Sequence, residues 1–316
     1  MSATLQPVRN TFTIVRYGLI KEWPEQKPHV GLIVDEPGGV IGDLSGLADG
    51  RVDNIEDLLN SRDLSGELKR LSQRKIPHHN IRDTKLLACI GEKQPVWAAG
   101  VTFFNSVLGR EDESGGSNRY RRVYNSPRPE LFVKAFQGEV IGPGEDIHIR
   151  SDSDWNAAEA ELLIVFNPRG GIVGYACADD MSSRSIEGDN ELNLPQAKIY
   201  YRSCGIGDKL VIGHTVKEAR EWKVRLEIKR SGETVFGKES TVSNMKRTFE
   251  ELRDYLFKWN RFPNGVALST GTDIVPTKDE CNLQDGDLVI IGISGIGEFT
   301  NTVKVLQPRT DLEPIV

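Results

Sequence analysis

Glu159, Glu161 and Asp180 are the residues of this chain best placed to do chemistry together. Glu159-Ala-Glu161 puts two acids on one face of an extended segment, because side chains alternate along a strand. The apolar run Glu161–Phe166 has the pattern of a strand buried on both faces. Asn167-Pro-Arg-Gly-Gly171 follows as a hairpin loop, with Ile172–Ala178 as the returning strand. A hairpin centred between Arg169 and Gly170 sets Asp180 opposite Glu159, with Glu161 two residues along the same face. Like charges so placed repel, and burying them unpaired costs several kcal/mol. A hard divalent cation removes both penalties, and three carboxylates suit Mg2+, with Ca2+ or Mn2+ as substitutes. An E-x-E pair alone reads as a solvated sheet edge; Asp180 in register inside an apolar hairpin favours a metal site. Asp179 points to the other face and is excluded as a ligand.

The elements that must hold these acids are those of a globular chain. It has 316 residues, 38% hydrophobic and 27% charged. No apolar run reaches the ~18 residues of a membrane span, and no signal-peptide core is visible. A net charge of −6 gives no nucleic-acid footprint. Cys89, Cys177, Cys204 and Cys281 are widely spaced, which argues against a disulfide framework or a zinc–thiolate site and suits a reducing cytoplasm.

Residues 1–84 are expected to form a small variable N-terminal α/β domain, and 85–316 the catalytic one. Tyr17–Asp35 has strand-like pieces, Val52–Leu71 has helical apolar spacing, and Gln73–Asp83, with His78 and His79, reads as a connector. Beyond it the chain is rich in strand patterns, at Pro95–Phe103, Leu131–Phe136, Lys209–Ile212, Trp222–Ile228 and Leu288–Ile293. Asn244–Asn260 carries a helical stripe of Met245, Phe249, Leu252, Leu256 and Trp259. The glycine-rich, charged stretch Asn105–Arg122 reads as disorder or a functional lid. Gly292-Ile-Ser-Gly-Ile-Gly297 lacks the lysine of a phosphate loop and reads as a turn.

Several ordered stretches carry a resemblance. They include Pro129-Glu-Leu-Phe-Val-Lys134, Gly142-Pro-Gly144, Glu159-Ala-Glu161, Gly174-Tyr-Ala-Cys-Ala-Asp-Asp180, Ser182-Ser-Arg184, Gln196-Ala-Lys198 and Ser269-Thr-Gly-Thr272. Between about Val101 and Val303 the chain resembles the fumarylacetoacetate hydrolase superfamily. Within it, Arg184–Asn190, Asn193–Lys198, Val123–Glu130 and Ile149–Asn156 look most like the 2-keto-3-deoxy-D-arabinonate dehydratase group. The resemblance implies an α+β fold with a mixed β-roll or sandwich core, a divalent ion on Glu159, Glu161 and Asp180, and a homodimer or higher homo-oligomer. The superfamily's carbon–carbon hydrolases carry a His-x-x-Glu pair where this chain has Ser106–Gly109, and no histidine lies between His79 and His148. Asn105 stands where the dehydratase group usually has an acidic residue.

The resemblance implies a metal-dependent lyase that dehydrates a 2-keto-3-deoxy sugar acid, such as 2-keto-3-deoxy-arabinonate to 2-oxoglutarate semialdehyde. A 2-keto acid chelates a divalent ion, which stabilises the enolate left when a C3 proton departs. Lys198 is the expected base, since a lysine near a metal and partly buried releases its proton more readily. Glu187 is the acid/base candidate. Lys134, Arg184, Gln196 and Thr272 are expected to bind substrate, Arg184 through its planar fork. The alternatives are a carbon–carbon hydrolase of acylpyruvates or diketo acids, using Glu111 or Glu113 as base, a decarboxylase or tautomerase on the same chelate, and a non-catalytic sugar-acid sensor or scaffold.

Overall fold

A computed structural model describes residues 11–35, 39–45, 52–113 and 119–312. Its frame is a 12-stranded sheet and a 5-stranded sheet, with short helices around them. The larger sheet runs in the order His78–Asn80, Val40–Asp43, His29–Asp35, Phe12–Leu19, Lys209–Ile212, Ile172–Asp180, Ala160–Phe166, Val266–Ser269, Val96–Gly100, Glu130–Ala135. It curls on itself. Ile141, shortly after the last of these strands, bridges Gly205, and the Cys204–Ile206 strand pairs with Ile172–Asp180. The smaller sheet has the order Glu233–Thr241, Lys223–Arg230, Leu288–Ile293, Gly297–Leu306, Asp146–Arg150. This is the α+β, roll-and-sandwich architecture expected.

The Ala160–Phe166 strand is buried along its whole length, and its two faces serve two cores. Leu162, Ile164 and Phe166 join Leu226, Ile291 and Phe299 between the sheets. Leu163 and Val165 join Ile14, Ile55, Leu59 and Leu68 on the other side. Such double burial explains why the segment shows no polar alternation. The hairpin register is the one the turn implied: Ala160 faces Asp179, Glu161 faces Ala178, and the Asp180 amide donates to the Glu159 carbonyl at 3.1 Å.

The sheet runs across 84/85, where the domain boundary is expected: Phe12–Leu19 pairs with Lys209–Ile212 and both flanks share one core. Other expectations need correction. The supposed connector contains the strand His78–Asn80, and His79 Nε2 sits 3.6 Å from buried Asp43. The helical region before it is two helices, Ile55–Leu59 and Leu64–Ser72, each started by its own side-chain cap, from Asn54 and Asp63. The stretch 105–122 is not structureless: it contains most of the helices Phe104–Glu113 and Arg119–Asn125. Their few apolar residues suffice, because Val107 and Tyr120 bury against Val101. Gly115, Gly116 and Ser117 lie outside the described residues, as do the side chains of Arg110, Glu111 and Glu113. The later helix is shorter than its stripe, Phe249–Phe257, because Thr248 caps it. Met245 is buried before it, whereas Trp259 is 81% exposed.

Candidate metal centre and substrate cavity

The curled sheet brings one end of five neighbouring strands together. Asp180 ends its strand, Glu159 and Glu161 flank the first residue of the next, Ser269 ends the third, Gly100 ends the fourth and Glu130 begins the fifth. Glu159, Glu161 and Asp180 are buried, and their candidate ligand oxygens all lie within 4.8 Å of one another.

Cations and donors hold two of these acids closely. Lys198 Nζ is 3.0 Å from Glu159 Oε2 and 3.1 Å from Asp180 Oδ2, and donates to Ser182 Oγ at 2.5 Å. Arg184 Nη2 lies 2.8 Å from Glu159 Oε1. Lys134 Nζ lies 2.6 Å from Asp180 Oδ1 and donates to the carbonyls of Met181 at 2.8 Å and Lys198 at 2.6 Å. Lys134 sits in a β-bulge: Val96 opposes Ala135 while Trp97 opposes Val133. The extra residue turns the ammonium inward, a common use of bulges beside functional sites.

Glu161 has a different environment. Its Oε2 accepts from Ser269 Oγ at 2.5 Å and from the Gly271 amide at 2.8 Å. Gly271 has φ +89, and a side chain there would meet Thr102 and the Ala99 carbonyl. Burial first, then the charges of Asp180 and Glu159, push the Glu161 carboxyl up to about 8. An all-oxygen set of three buried acids, one of them without full charge compensation, matches the donors a hard divalent cation takes. Asp179 supports the site from behind. Its Oδ1 accepts from the Glu159 amide at 3.1 Å, and burial raises its carboxyl to about 7.

The acids open on a cavity also lined by Gly100, Ser106, Glu130, Phe132, Arg184, Glu187, Lys198 and Thr272. Its free space is only about 20 Å³, room for roughly one water. The expected site residues divide accordingly. Arg184, Glu187, Lys198 and Thr272 line the cavity with the three acids. Thr272 is buried, and its carbonyl accepts from Ser106 Oγ at 2.5 Å. Lys134 is buried beside the cavity, where its Nζ donates to two carbonyls and lies 2.6 Å from Asp180 Oδ1. Gln196 is exposed. It lies two residues before Lys198 in the Leu194–Lys198 helix, and residues at that spacing face apart. Asn105 is also exposed, on a larger neighbouring cleft. Ser182, Ser269, Gly271 and Glu130 were not singled out beforehand. The motifs contained all four, but only three-dimensional proximity gives them partners.

Fold and site together define a class. The family model for the fumarylacetoacetate (FAA) hydrolase C-terminal region matches residues 101–304, and the chain belongs to that family. Among curated proteins it is 42% identical over 215 residues to a probable 2-keto-3-deoxyxylonate dehydratase of Haloferax volcanii, covering 68% of this chain and 74% of that one. It is 37% identical over 230 residues to the 2-dehydro-3-deoxy-D-arabinonate dehydratase of Saccharolobus solfataricus, covering 72% and 76%. A solved structure of 2-keto-3-deoxy-D-arabinonate dehydratase complexed with magnesium and 2,5-dioxopentanoate superposes with a TM-score of 0.75 at 29% identity, covering 94% of this chain and all of that one.

Proposed function

We propose that this chain is a divalent-metal-dependent hydro-lyase that removes water from a 2-keto-3-deoxy sugar acid. The buried Glu159–Glu161–Asp180 cluster carries the reading, supported by the similarity to dehydratases of such acids. The three carboxylates would hold Mg2+, with Ca2+ or Mn2+ as substitutes. The ion, when bound, supplies chelation of a 2-keto acid and lowers the cost of negative charge at its keto oxygen.

The protein's own residues do the rest. Lys198, as its neutral amine, takes the C3 proton and becomes the ammonium, with Ser182 holding Nζ in line. Glu187, buried on the Arg184–Asp189 helix, lines the same cavity and is the acid/base group. Arg184 and Thr272 orient substrate oxygens. A cytoplasmic location is supported by four free, buried cysteines; no helix among the described residues is long and apolar enough to cross a membrane. A homodimer or higher homo-oligomer is supported by Phe136 and Tyr201, which stand exposed beside one surface hollow.

The deciding experiment is a proton NMR time course in deuterated buffer with Mg2+, 2-keto-3-deoxy-pentonates and -hexonates, and an acylpyruvate. Conversion of a deoxy sugar acid to a semialdehyde, abolished by a chelator, is the expected outcome. Cleavage of the acylpyruvate with the sugar acids untouched would overturn the reading in favour of a hydrolase.

A further inference from the structure

We propose that Ser269 makes the metal centre selective for Mg2+ over Ca2+. It does so by holding one oxygen of Glu161, which leaves that carboxylate a single atom to give the ion. The inference rests on the metal-dependent function just proposed and adds which ion the site accepts. Both ions take oxygen ligands. Ca2+ takes about six to eight, at about 2.3–2.6 Å, and commonly draws both oxygens of a carboxylate. Mg2+ takes about six, at about 2.0–2.1 Å, in near-ideal octahedral geometry. How many oxygens the protein can give, and how rigidly, therefore decides between them.

Ser269 Oγ and the Gly271 amide both donate to the same oxygen of Glu161, Oε2, at 2.5 and 2.8 Å. The turn that carries these donors is pinned on both sides. Thr270, between them, donates its amide at 3.1 Å and its hydroxyl at 2.9 Å to the carbonyl of Leu162, the residue after Glu161. The Thr270 carbonyl in turn accepts from Thr102 Oγ1 at 2.6 Å. Ser269 itself ends a strand, paired with Leu163. Glu161, Ser269, Thr270 and Thr102 are all buried. Donors and acceptor thus ride on one rigid piece of the sheet. Swinging Oε2 towards an ion would break two hydrogen bonds and leave a buried amide and hydroxyl unpaired.

The other two acids are held in the same fashion. Glu159 Oε1 lies 2.8 Å from Arg184 Nη2 and 2.9 Å from Ser182 Oγ. Asp180 Oδ1 lies 2.6 Å from Lys134 Nζ. The second oxygens of these two acids, Glu159 Oε2 and Asp180 Oδ2, meet at Lys198 Nζ, 3.0 and 3.1 Å away. Three acids giving one oxygen each supply half of an octahedral shell, and the other half suits a chelating 2-keto acid and a water. Among the side chains that hold the acids, Ser269 carries no charge and takes no part in the proposed proton transfers. It can therefore be changed alone.

The test uses the full chain and the two ions alone, each titrated by calorimetry into metal-free protein without substrate. The wild type is expected to bind Mg2+ at least about tenfold more tightly than Ca2+. Ser269→Ala removes one of the two donors, so that Glu161 can turn both oxygens to the larger ion. It is expected to cut the preference by about fivefold or more, with Mg2+ weakened and Ca2+ held within about twofold. Thr270→Val keeps the shape of the side chain and loosens the turn without touching Glu161. It should shift the preference in the same direction by a smaller amount, and it carries the test if Ser269→Ala does not fold. An unchanged preference in both variants overturns the assignment, as does equal weakening of both ions, which would make Ser269 a support of the fold. Ca2+ binding as tight as Mg2+ in the wild type overturns the selectivity alone and leaves the metal centre standing. Binding of neither ion would overturn the metal-dependent function itself and the inference with it.

Discussion

The Lys134 ammonium lies 2.6 Å from Asp180 Oδ1, with both side chains almost wholly buried and in strands far apart in sequence. The pair closes the roll beneath the metal cluster. Removing one partner of a buried pair leaves the other charged and desolvated, at a cost of about 3–5 kcal/mol. Lys134→Met is therefore expected to destabilise the fold by that order. Denaturant unfolding measures it, and a change below about 1 kcal/mol would show that Lys198, 3.1 Å from Asp180 Oδ2, is compensation enough.

Glu161 should separate metal binding from folding. With its carboxyl raised to about 8, it is largely neutral at pH 7 before an ion arrives. Glu161→Gln then keeps the shape and the Gly271 contact, and the metal-free protein should unfold within about 1 kcal/mol of wild type. Stabilisation by added Mg2+, seen as a rise in melting temperature, should be lost. Retention of that rise would remove Glu161 from the ligand set.

Acidity gives a third expectation. The folded carboxyls of Glu161, at about 8, and Asp179, at about 7, lie above the ordinary carboxylate range. A group raised in the folded state binds its proton more tightly there than in the unfolded chain. Its stabilising effect is present at low pH and is lost as pH climbs from the carboxylate range towards 7–8. Metal-free protein should accordingly be less stable at pH 8.5 than at pH 6, and Mg2+ should bind more tightly as Glu161 gives up its proton. Urea midpoints at the two pH values, with and without Mg2+, check both signs.

Lys198 should matter to proton transfer more than to structure. Lys198→Met is expected to cut C3 deuterium exchange by at least about a hundredfold, in the usual range for losing a positioned base. The exchange is read by NMR before any water is lost. An unchanged exchange rate would move the base elsewhere, with Glu187 the first candidate.

We further propose that residues 11–84 fold together with the rest, because one sheet and one core span the boundary. Leu68→Ala, at a fully buried position, should cost about 2–5 kcal/mol. Probes on both sides of residue 84 should lose structure in a single transition. Two separate transitions would restore an independent N-terminal domain.

The sequence by itself determined the hairpin and its register. Double burial left an uninterrupted apolar run, and a glycine turn of definite length allows one pairing, so Glu159, Glu161 and Asp180 had to share a face. The motifs around Arg184 and Lys198 pointed to the same site for a similar reason: short-range spacing survives folding unchanged. The helices Phe104–Glu113 and Arg119–Asn125 were not legible because Val107 and Tyr120 are sparse among charges, and their value lies in burial against Val101. The tertiary structure alone decided what lies far apart in sequence. Curling of the sheet brings Lys134 to Asp180, a bulge no local pattern announces turns it inward, and Gly100 makes room for Glu130. Gln196 and Lys198 stand in one motif, yet about half a turn of helix sends one to solvent and the other to the metal cluster. Such partnerships depend on where strands and helices meet in space, which periodicity along the chain does not encode.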